Sequence, residues 1–331
     1  MTTTSSRRGW HRRTDRAALV AVGVGLAVVL AELASRHVAP FELVHGDLAF
    51  VRNRRPQRDD PRPYSLGGVA LWRRSHPGRA RATAVKRGFR IVVLGDSVLE
   101  PAGLPDADGT VHRVGELLAA RLPDRAFELV NLAEGGWSTL QEEQALLHEG
   151  LALDPDLVLL GVSPNDAQQF VLHDGQLLQV EFQQRLVRSR DRGWLARHSY
   201  LYNLLWLSRQ PSAGLERSSG QLERERIVAP IERMVAMSAA RGARFGILCF
   251  PFLSSPRFAV DARGCSFASL EDWARERRVP LLDPTVAYSA HANAALRLDD
   301  IHLSGLGHGV LAEEVYRWLI SQGLVEGGAV R

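Results

Sequence analysis

The feature that most constrains the fold of this chain is a series of short apolar runs, each followed by helical spacing, that begins after Arg90. The runs predict five strands, which are Ile91 to Leu94, Phe127 to Val130, Leu157 to Leu160, Phe245 to Phe250 and Val279 to Leu282. Apolar residues three and four positions apart predict helices over 111–121, 140–151, 223–240, 266–277 and 304–322. Strands that alternate with helices are typical of a parallel sheet covered on both faces, so an α/β fold is expected.

One interval interrupts this alternation. Residues 167–222 separate the third strand from the fourth and are predicted to be an insertion in the domain, with a helix over Tyr200 to Leu207 and a flexible loop over Ser212 to Gln221. Aromatic clusters such as the one in this helix more often belong to a core than to a substrate site. Insertions beside strand ends are nevertheless also where lids are found.

Composition excludes several classes of protein. The chain of 331 residues is 45% hydrophobic and 24% charged, which is ordinary for a globular protein and long enough for one large α/β domain. Two cysteines, Cys249 and Cys265, are too few for a four-thiolate zinc site, and a buried thiol at Cys249 is expected in preference to a bridge between them. His148, His173 and His198 lack the spacing of metal ligands.

The net charge of +4 raises the question of nucleic-acid binding. The excess of arginine and lysine lies in residues 1–16 and 52–90, whereas residues 91–331 are net acidic. This distribution does not form the continuous basic groove with interleaved aromatic residues that binds nucleic acid. No nucleic-acid partner is therefore expected.

The N-terminal region predicts a membrane anchor. From Ala17 to Ala31 every residue is apolar or glycine, and the run continues past Glu32 to Ala34. Eighteen helical residues span about 27 Å, close to the bilayer core of about 30 Å. Residues 1–16 carry the flanking arginines and predict a cytoplasmic N-terminus with an extracytoplasmic body. The alternative is a signal peptide that is cleaved near Ala31, leaving a secreted protein.

The remaining boundaries follow from composition. Residues 35–88 are rich in proline, arginine and glycine and show no sustained period, which predicts an irregular basic linker. The chain is thus divided into a cytoplasmic tail over 1–16, a transmembrane helix or signal anchor over 17–34, this linker, and an α/β domain over 89–325.

Polar residues and glycines follow the predicted strands. Gly95-Asp96-Ser97 follows the first strand, Asn131 to Gly136 the second and Gly161 to Asp166 the third, while Asp299-Asp300-Ile301-His302 precedes the last helix. Because the carboxyl ends of parallel strands meet at one edge of a sheet, we expect these segments to lie together. A serine nucleophile needs a base, a carboxylate that orients the base, and donors for the developing oxyanion. The segments supply all three.

In this order the four segments resemble the SGNH (GDSL-type) hydrolase superfamily, from about Arg90 to the end of the terminal helix. The resemblance implies a flavodoxin-like three-layer α/β/α sandwich with sheet order 2-1-3-4-5, and a reaction without a metal or organic cofactor. It assigns these roles: Ser97 is the nucleophile, His302 the base, Asp299 the orienting carboxylate, and the oxyanion donors are the backbone N–H groups of Ser97 and Gly136 with the Asn165 amide. The anchored arrangement is also similar to envelope-tethered bacterial members.

The chain departs from the family pattern at Val98, which replaces a leucine, at Ala133, where glycine is frequent, and at Pro164. None of these changes removes a required group. Asp300 is the rival orienting carboxylate, and Gly135 is the rival oxyanion donor. Three further polar residues are expected to be structural: His308, Asp96 and Asp166.

The sequence therefore predicts a serine ester hydrolase that works through an acyl-enzyme on O-acyl esters of envelope glycans or lipids. One alternative is a polysaccharide O-acetyltransferase, in which a sugar hydroxyl takes the place of water. The other alternative is a tethered carbohydrate-binding protein without catalytic activity.

Overall fold

A computed structural model gives the fold of this chain. The described residues are 5–44, 47–55, 64–66, 69–71, 85–101, 103–174, 176–180, 192–209, 221, 223–251, 253, 267–291, 293–299 and 301–325. The chain forms two compact units. The first contains Met1–Asn53 and Gln183–Arg217, and the second contains Arg54–Phe182 and Ser218–Arg331.

The strands, in chain order, are β1 (Phe41–Val44), β2 (Asp47–Arg55), β3 (Tyr64–Leu66), β4 (Val69–Leu71), β5 (Phe89–Leu94), β6 (Phe127–Asn131), β7 (Leu157–Val162), β8 (Gln169–His173), β9 (Gln176–Val180), β10 (Arg244–Cys249) and β11 (Leu281–Leu282). The α-helices are α1 (Ser5–Val38), α2 (Thr110–Arg121), α3 (Thr139–Ala145), α4 (Trp194–His198), α5 (Tyr200–Leu207), α6 (Ala229–Ala240), α7 (Ala268–Arg277), α8 (Thr285–Ser289), α9 (Asn293–Leu296) and α10 (Gly305–Ser321). Short π and 3₁₀ turns lie at Asp106–Asp108, Leu146–Gly150, Leu151–Leu153 and Arg224–Val228.

The second unit is built on a five-stranded sheet of order β6-β5-β7-β10-β11. All of its neighbouring strands pair in parallel. Numbered along the chain, this is the order 2-1-3-4-5, and the five strands lie on the five predicted apolar runs. The prediction of the sheet is confirmed.

Two apolar layers cover the sheet. Val92 and Leu94 of β5 pack in a buried cluster with residues of α3, α6 and α7. The alternate residues Ile91 and Val93 pack in a second cluster with residues of α2 and α10. Because successive side chains of a strand point to opposite faces, a strand buried on both sides needs a continuous apolar sequence. This requirement explains the uninterrupted runs and gives the three-layer α/β/α sandwich.

Three antiparallel hairpins differ from the predictions. One of them, β3-β4, pairs Tyr64 with Leu71 inside the segment 35–88, for which the sequence predicts an irregular linker. β1 and β2 pair with Phe41 opposite Phe50, inside the segment for which the sequence predicts an irregular linker. That prediction is wrong over 41–55, because Phe41 and Leu48 are buried and hold the hairpin in a small core. β8 and β9 form a further hairpin within the insertion, where no strand is predicted. Most of the loop predicted over 212–221 lies outside the described residues.

The first unit combines α1, the β1-β2 hairpin and the helix pair α4 and α5. Its core contains Phe41 and Leu48, with Tyr200, Leu204 and Leu207 of α5 packed against them. The predicted helix over Tyr200 to Leu207 is confirmed. Within α1, the 23 residues Arg16–Val38 are long and apolar enough to cross a membrane.

Cys249 ends β10 and is fully buried. It is disulfide-bonded, so the expectation of a free buried thiol is wrong. Cys265, the other cysteine of the sequence, lies outside the described residues.

Candidate active site

Ser97 lies in a tight turn directly after β5. The backbone N–H groups of Leu99 and Glu100 donate to the Asp96 carbonyl oxygen, at 3.2 and 2.9 Å. The Asp96 carboxylate accepts a further hydrogen bond from the Val98 N–H, at 2.9 Å. These contacts reverse the chain within a few residues, and they hold Ser97 at the carboxyl edge of the sheet.

The neighbouring loops are hydrogen-bonded to this turn. Ser163, after β7, donates from Oγ to the Asp96 carboxylate at 2.9 Å. Glu134, after β6, donates from its backbone N–H to the Gly95 carbonyl oxygen at 3.0 Å. Three of the predicted segments therefore meet at one edge of the sheet, as parallel strands require. Asp96 organises the turn, as expected.

The fourth segment supplies an imidazole. His302 Nε2 lies 2.8 Å from Ser97 Oγ, although 205 positions separate the two residues in sequence. On the other side of the ring, Nδ1 lies 2.6 Å from Asp299 Oδ2. A carboxylate can only accept, so the proton of the neutral ring lies on Nδ1, and Nε2 is left to accept from the serine hydroxyl.

Asp299 is fixed by its own backbone. Its Oδ1 accepts from the N–H groups of Ile301 and His302, at 2.9 and 2.8 Å. Partial burial raises the pKa of Asp299, but the hydrogen bonds from His302 and Ile301 outweigh that effect and lower it to about 2. The carboxylate is thus ionised at neutral pH and available to stabilise an imidazolium.

The loop that carries His302 is held at both ends. The Leu298 N–H donates to the His302 carbonyl oxygen at 2.9 Å, and the backbones of Arg297 and Leu303 form an isolated antiparallel β-bridge. Ser304 then caps α10, accepting from the Gly307 N–H at 3.2 Å. His302 therefore lies on a short connection between α9 and α10 that hydrogen bonds hold at both ends.

Besides Ser97, the predicted oxyanion donors are Gly136 and Asn165, which lie on the loops after β6 and β7. Gly136 has a φ of +80°, a conformation that favours glycine. The N–H of its neighbour Gly135 donates to the Glu100 carboxylate. Ser138 then forms a capping box with Gln141 and starts α3 immediately after this loop. Asn165 follows β7, and its side chain hydrogen-bonds Asp96, which helps to counter the rise in the pKa of Asp96 caused by burial.

Three buried carboxyl groups lie close to one another near this edge: Asp96, Glu142 and Asp166 are each at most 1% exposed. Burial raises the pKa of Glu142 well above its ordinary value, and the nearby Asp96 charge raises it further. Burial likewise raises the pKa of Asp166 well above its ordinary value, with added repulsion from Glu142 and Asp96. Asp166 also accepts from the Ser163 N–H at 2.9 Å, so it organises a turn as expected.

Two other polar residues, Asp300 and His308, lie close in sequence to His302. His308 lies in α10, is 1% exposed, and has its Nδ1 2.9 Å from Thr110 Oγ1. Burial lowers the pKa of His308 to about 4. It is a structural residue, as expected. Asp300, the rival orienting carboxylate, lies outside the described residues.

A cavity of about 460 Å³ lies beside these loops, between α2 and β6. Its lining includes Leu99 and Glu100, in the turn that carries Ser97, and Asn131 and Ala133 at the end of β6. Ser97 is not in its lining, so this cavity does not contain the Ser97 hydroxyl.

Three contributors to the site were not identified from the sequence: Ser163, Glu100 and Glu142. Glu142 lies on the buried face of α3. Glu142 is four residues before Leu146, which places the two on the same buried face of the predicted helix. A charged residue on that apolar face is the sequence signal that could have identified it. Ser163 and Glu100 gave no comparable signal, because their partners are far away in sequence.

At the carboxyl edge of the sheet of this three-layer sandwich, Ser97, His302 and Asp299 are hydrogen-bonded in series, which is an arrangement of groups that serine hydrolases use. The profile of the GDSL-like Lipase/Acylhydrolase family matches residues 93–310, about two thirds of the sequence. This chain belongs to that family and is a carboxylic ester hydrolase. A search of curated proteins found no significant match.

Three solved structures illustrate the likeness of fold. LAE5, an alpha/beta hydrolase from the metagenome of Lake Arreo in Spain, is 19% identical, with 73% of this chain and 99% of that chain covered and a TM-score of 0.46. TesA is 18% identical, with 70% and 99% covered and a TM-score of 0.43. Axe2, an acetylxylan esterase from Geobacillus stearothermophilus, is 16% identical, with 75% and 100% covered and a TM-score of 0.46.

Proposed function

We propose that this protein is a membrane-anchored, extracytoplasmic esterase that removes O-acyl groups from envelope glycans or lipids through a covalent acyl-enzyme. The observation that carries the proposal is the chain of hydrogen bonds from Ser97 through His302 to Asp299. It pairs an alcohol with a base of the correct tautomer and an ionised carboxylate.

In the proposed reaction, Ser97 Oγ attacks the ester carbonyl carbon while His302 Nε2 takes the hydroxyl proton. The carbonyl π pair moves to oxygen, and the resulting imidazolium is stabilised by Asp299. Collapse of the tetrahedral intermediate breaks the bond to the alcohol, which leaves with the proton from His302. Water then attacks the acyl-enzyme with His302 again as base, and it releases the acid and restores Ser97.

The proposed oxyanion donors are the N–H groups of Ser97 and Gly136 and the Asn165 amide. Support comes from the commitment of the Gly135 N–H to Glu100, which favours Gly136 over its neighbour. The positive φ of Gly136 is further support, because it is a backbone geometry that an amide turned toward a ligand often requires. Loss of one such donor typically slows chemistry by about 100- to 1,000-fold.

The proposed topology places residues 1–16 in the cytoplasm, a membrane helix at 17–34 and the domain over 89–325 outside. The arginine-rich tail before the span supports this orientation. The disulfide at Cys249 supports an oxidising compartment. Helix α1 continues without interruption from the apolar span to Val38, which favours an uncleaved anchor over a cleaved signal peptide.

The test is turnover of p-nitrophenyl acetate by the Ser97→Ala variant, with Ser289→Ala as a control because Ser289 is an exposed serine of α8. We expect Ser97→Ala to lose activity and Ser289→Ala to keep it. Treatment with a fluorophosphonate should add one adduct mass to the wild-type protein and none to Ser97→Ala. Unchanged turnover in Ser97→Ala would exclude this nucleophile, and intact mass also reports whether the leader is retained.

The acyl acceptor needs a separate measurement. With an acetylated oligosaccharide as donor, an esterase releases free acetate in step with donor consumption. Appearance of acetyl groups on an added acceptor sugar, faster than free acetate, would replace hydrolysis by the O-acetyltransferase alternative.

A further inference from the structure

A helix pair in the first unit is fastened to the end of the apolar helix by one carboxylate. Glu32 of α1 accepts hydrogen bonds from Ser199 Oγ and from the backbone N–H groups of Tyr200 and Leu201, at 2.7, 2.8 and 3.0 Å. Those two N–H groups open α5, where the helix itself provides no partner for them. Glu32 therefore caps α5 from another part of the chain.

Tyr200 strengthens this attachment. Its ring stacks on Phe41 with centroids 5.5 Å apart, and its hydroxyl donates to Glu42 at 2.9 Å. The Arg36 guanidinium lies 5.7 Å from the centroid of the same ring. Glu32 near the end of the apolar span caps α5, and Phe41 and Glu42 beyond the span hold it by a ring stack and a hydrogen bond.

The attachment fixes the depth of the helix pair relative to a bilayer. Glu32 lies 16 residues after Arg16, which is about 24 Å along a helix and so near the far boundary of a hydrocarbon core of about 30 Å. α4 directly precedes α5 and, with five residues, is about 8 Å long. A headgroup layer is roughly 5–8 Å thick. α4 therefore cannot extend far beyond that layer.

The side chains at this level are unusual for a surface in water. Trp194 is 70% exposed, Leu195 51% and Leu205 49%. Arg197 and Arg209 are exposed beside them. Tryptophan with arginine next to exposed aliphatic residues is the composition of segments that lie at the membrane interface. By contrast, Trp206 of α5 is half-buried, and the Arg192 guanidinium lies 4.0 Å from its ring centroid.

We infer that the helix pair α4-α5 is a second membrane-contacting element, which inserts Trp194, Leu195 and Leu205 into the headgroup boundary of the bilayer crossed by α1. This inference rests on the proposed membrane anchoring. The occupant of the surface is lipid, because the same helix pair is capped by the span itself and carries basic residues suited to anionic headgroups. The protein then meets its membrane at two places, an anchor and an interfacial helix pair.

The test places an environment-sensitive fluorophore, NBD, on single cysteines in the full-length protein reconstituted in vesicles of phosphatidylethanolamine and phosphatidylglycerol. The labelled variants are Leu195→Cys, Val24→Cys within the span, and Val286→Cys, which is 76% exposed in the second unit and serves as the matched control. Unsubstituted protein, with Cys249 in a disulfide, is the labelling blank. Nitroxide-bearing lipids then report contact with the bilayer.

We expect blue-shifted emission and strong quenching at 195 by nitroxides near the headgroup, quenching at 24 by nitroxides deep in the acyl chains, and neither at 286. Quenching at 24 but not at 195 overturns the interfacial inference and leaves the anchor intact. Absence of quenching at 24 overturns the anchor itself. Blue-shifted emission of NBD at 195 without quenching by any nitroxide lipid means that protein, and not lipid, covers position 195, which also overturns the inference.

A second variant tests the attachment of α5 to Glu32. Glu32→Ala removes the acceptor of three hydrogen bonds and should weaken headgroup quenching at 195 while leaving quenching at 24 unchanged. Unaltered quenching at 195 in Glu32→Ala would show that the carboxylate does not hold the helix pair at the interface.

Discussion

Replacing Gly161 by alanine tests how the sheet positions the nucleophile. Gly161 lies in β7, and a Cβ there would come closer than 3.0 Å to Cδ1 of Leu99 and within 3.0 Å of Phe250. Leu99 is 1% exposed and Phe250 3% exposed, so the added methyl finds no free space. Overpacking of this kind typically costs 1–3 kcal/mol, and we expect the free energy of unfolding to fall by about 2 kcal/mol.

The activity effect follows from the position of Leu99, two residues after Ser97. Normal carbon contacts are about 3.5–4.0 Å, so the Cδ1 methyl of Leu99 must move by roughly 1 Å. Its carbonyl accepts from the Asn131 side chain at 3.0 Å, and its N–H donates to the Asp96 carbonyl oxygen in the turn that carries Ser97, so we expect the repacking of Leu99 to displace Ser97. Misplacement of a reacting group by about 1 Å can cost about 100-fold, and we expect a comparable fall in kcat.

Gly246→Ala is the matched control. Its Cβ would lie 2.6 Å from the Trp318 ring and 3.2 Å from Leu324, which is similar overpacking in the same sheet but against α10 and the C-terminal turn. Urea unfolding gives the stability of each variant, and p-nitrophenyl acetate turnover per folded molecule gives the activity. Equal losses of turnover in the two variants, or full turnover in a destabilised Gly161→Ala, would refute the reasoning.

Three further predictions concern titratable groups. Asp299→Asn should lower kcat/KM by about 10⁴-fold with little loss of stability, because an amide donor facing Nδ1 favours the wrong tautomer of His302; near-normal turnover would contradict this. Because the pKa of Glu142 is raised in the folded protein, the free energy of unfolding should decline as pH rises above the ordinary carboxyl range, by at most about 1.4 kcal/mol per pH unit. Glu142→Gln should flatten this decline. His308→Gln should flatten the loss of stability as pH falls from 6.5 to about 4, where the buried neutral ring resists protonation. Urea titrations across pH check both slopes, and wild-type slopes in either variant would count against the corresponding group.

The sheet was predictable because its signal is local. The central strands β5, β7 and β10 of the parallel sheet are buried on both faces, so their sequences contain long apolar runs, as in Ile91 to Leu94. The hairpins were not predictable in the same way. β1 reads Phe-Glu-Leu-Val, and its burial depends on Tyr200 and Leu204, which lie far along the chain. A four-residue strand without a turn signal gives periodicity too little length to detect.

The site divides along the same line. The proximity of Ser97, His302 and Asp299 was predictable because each stands in a short motif at the end of an element, and topology brings those ends together. The contacts that brace them were not identified. Ser163 to Asp96 and Gly135 to Glu100 join residues that belong to different loops, and no spacing rule connects them. Disulfide formation at Cys249 was misjudged for a similar reason, since burial alone does not separate a thiol from a bridge.

The long separation between Ser97 and His302 has a consequence for biogenesis. A polypeptide that is exported from its N-terminus delivers the alcohol early and the imidazole 205 positions later. Until α10 packs against α2, Ser97 lacks its hydrogen bond with the imidazole of His302, which directly precedes α10. In the proposed mechanism, esterase activity is therefore acquired only after His302 has been synthesised, and a product truncated before Asp299 would be inactive.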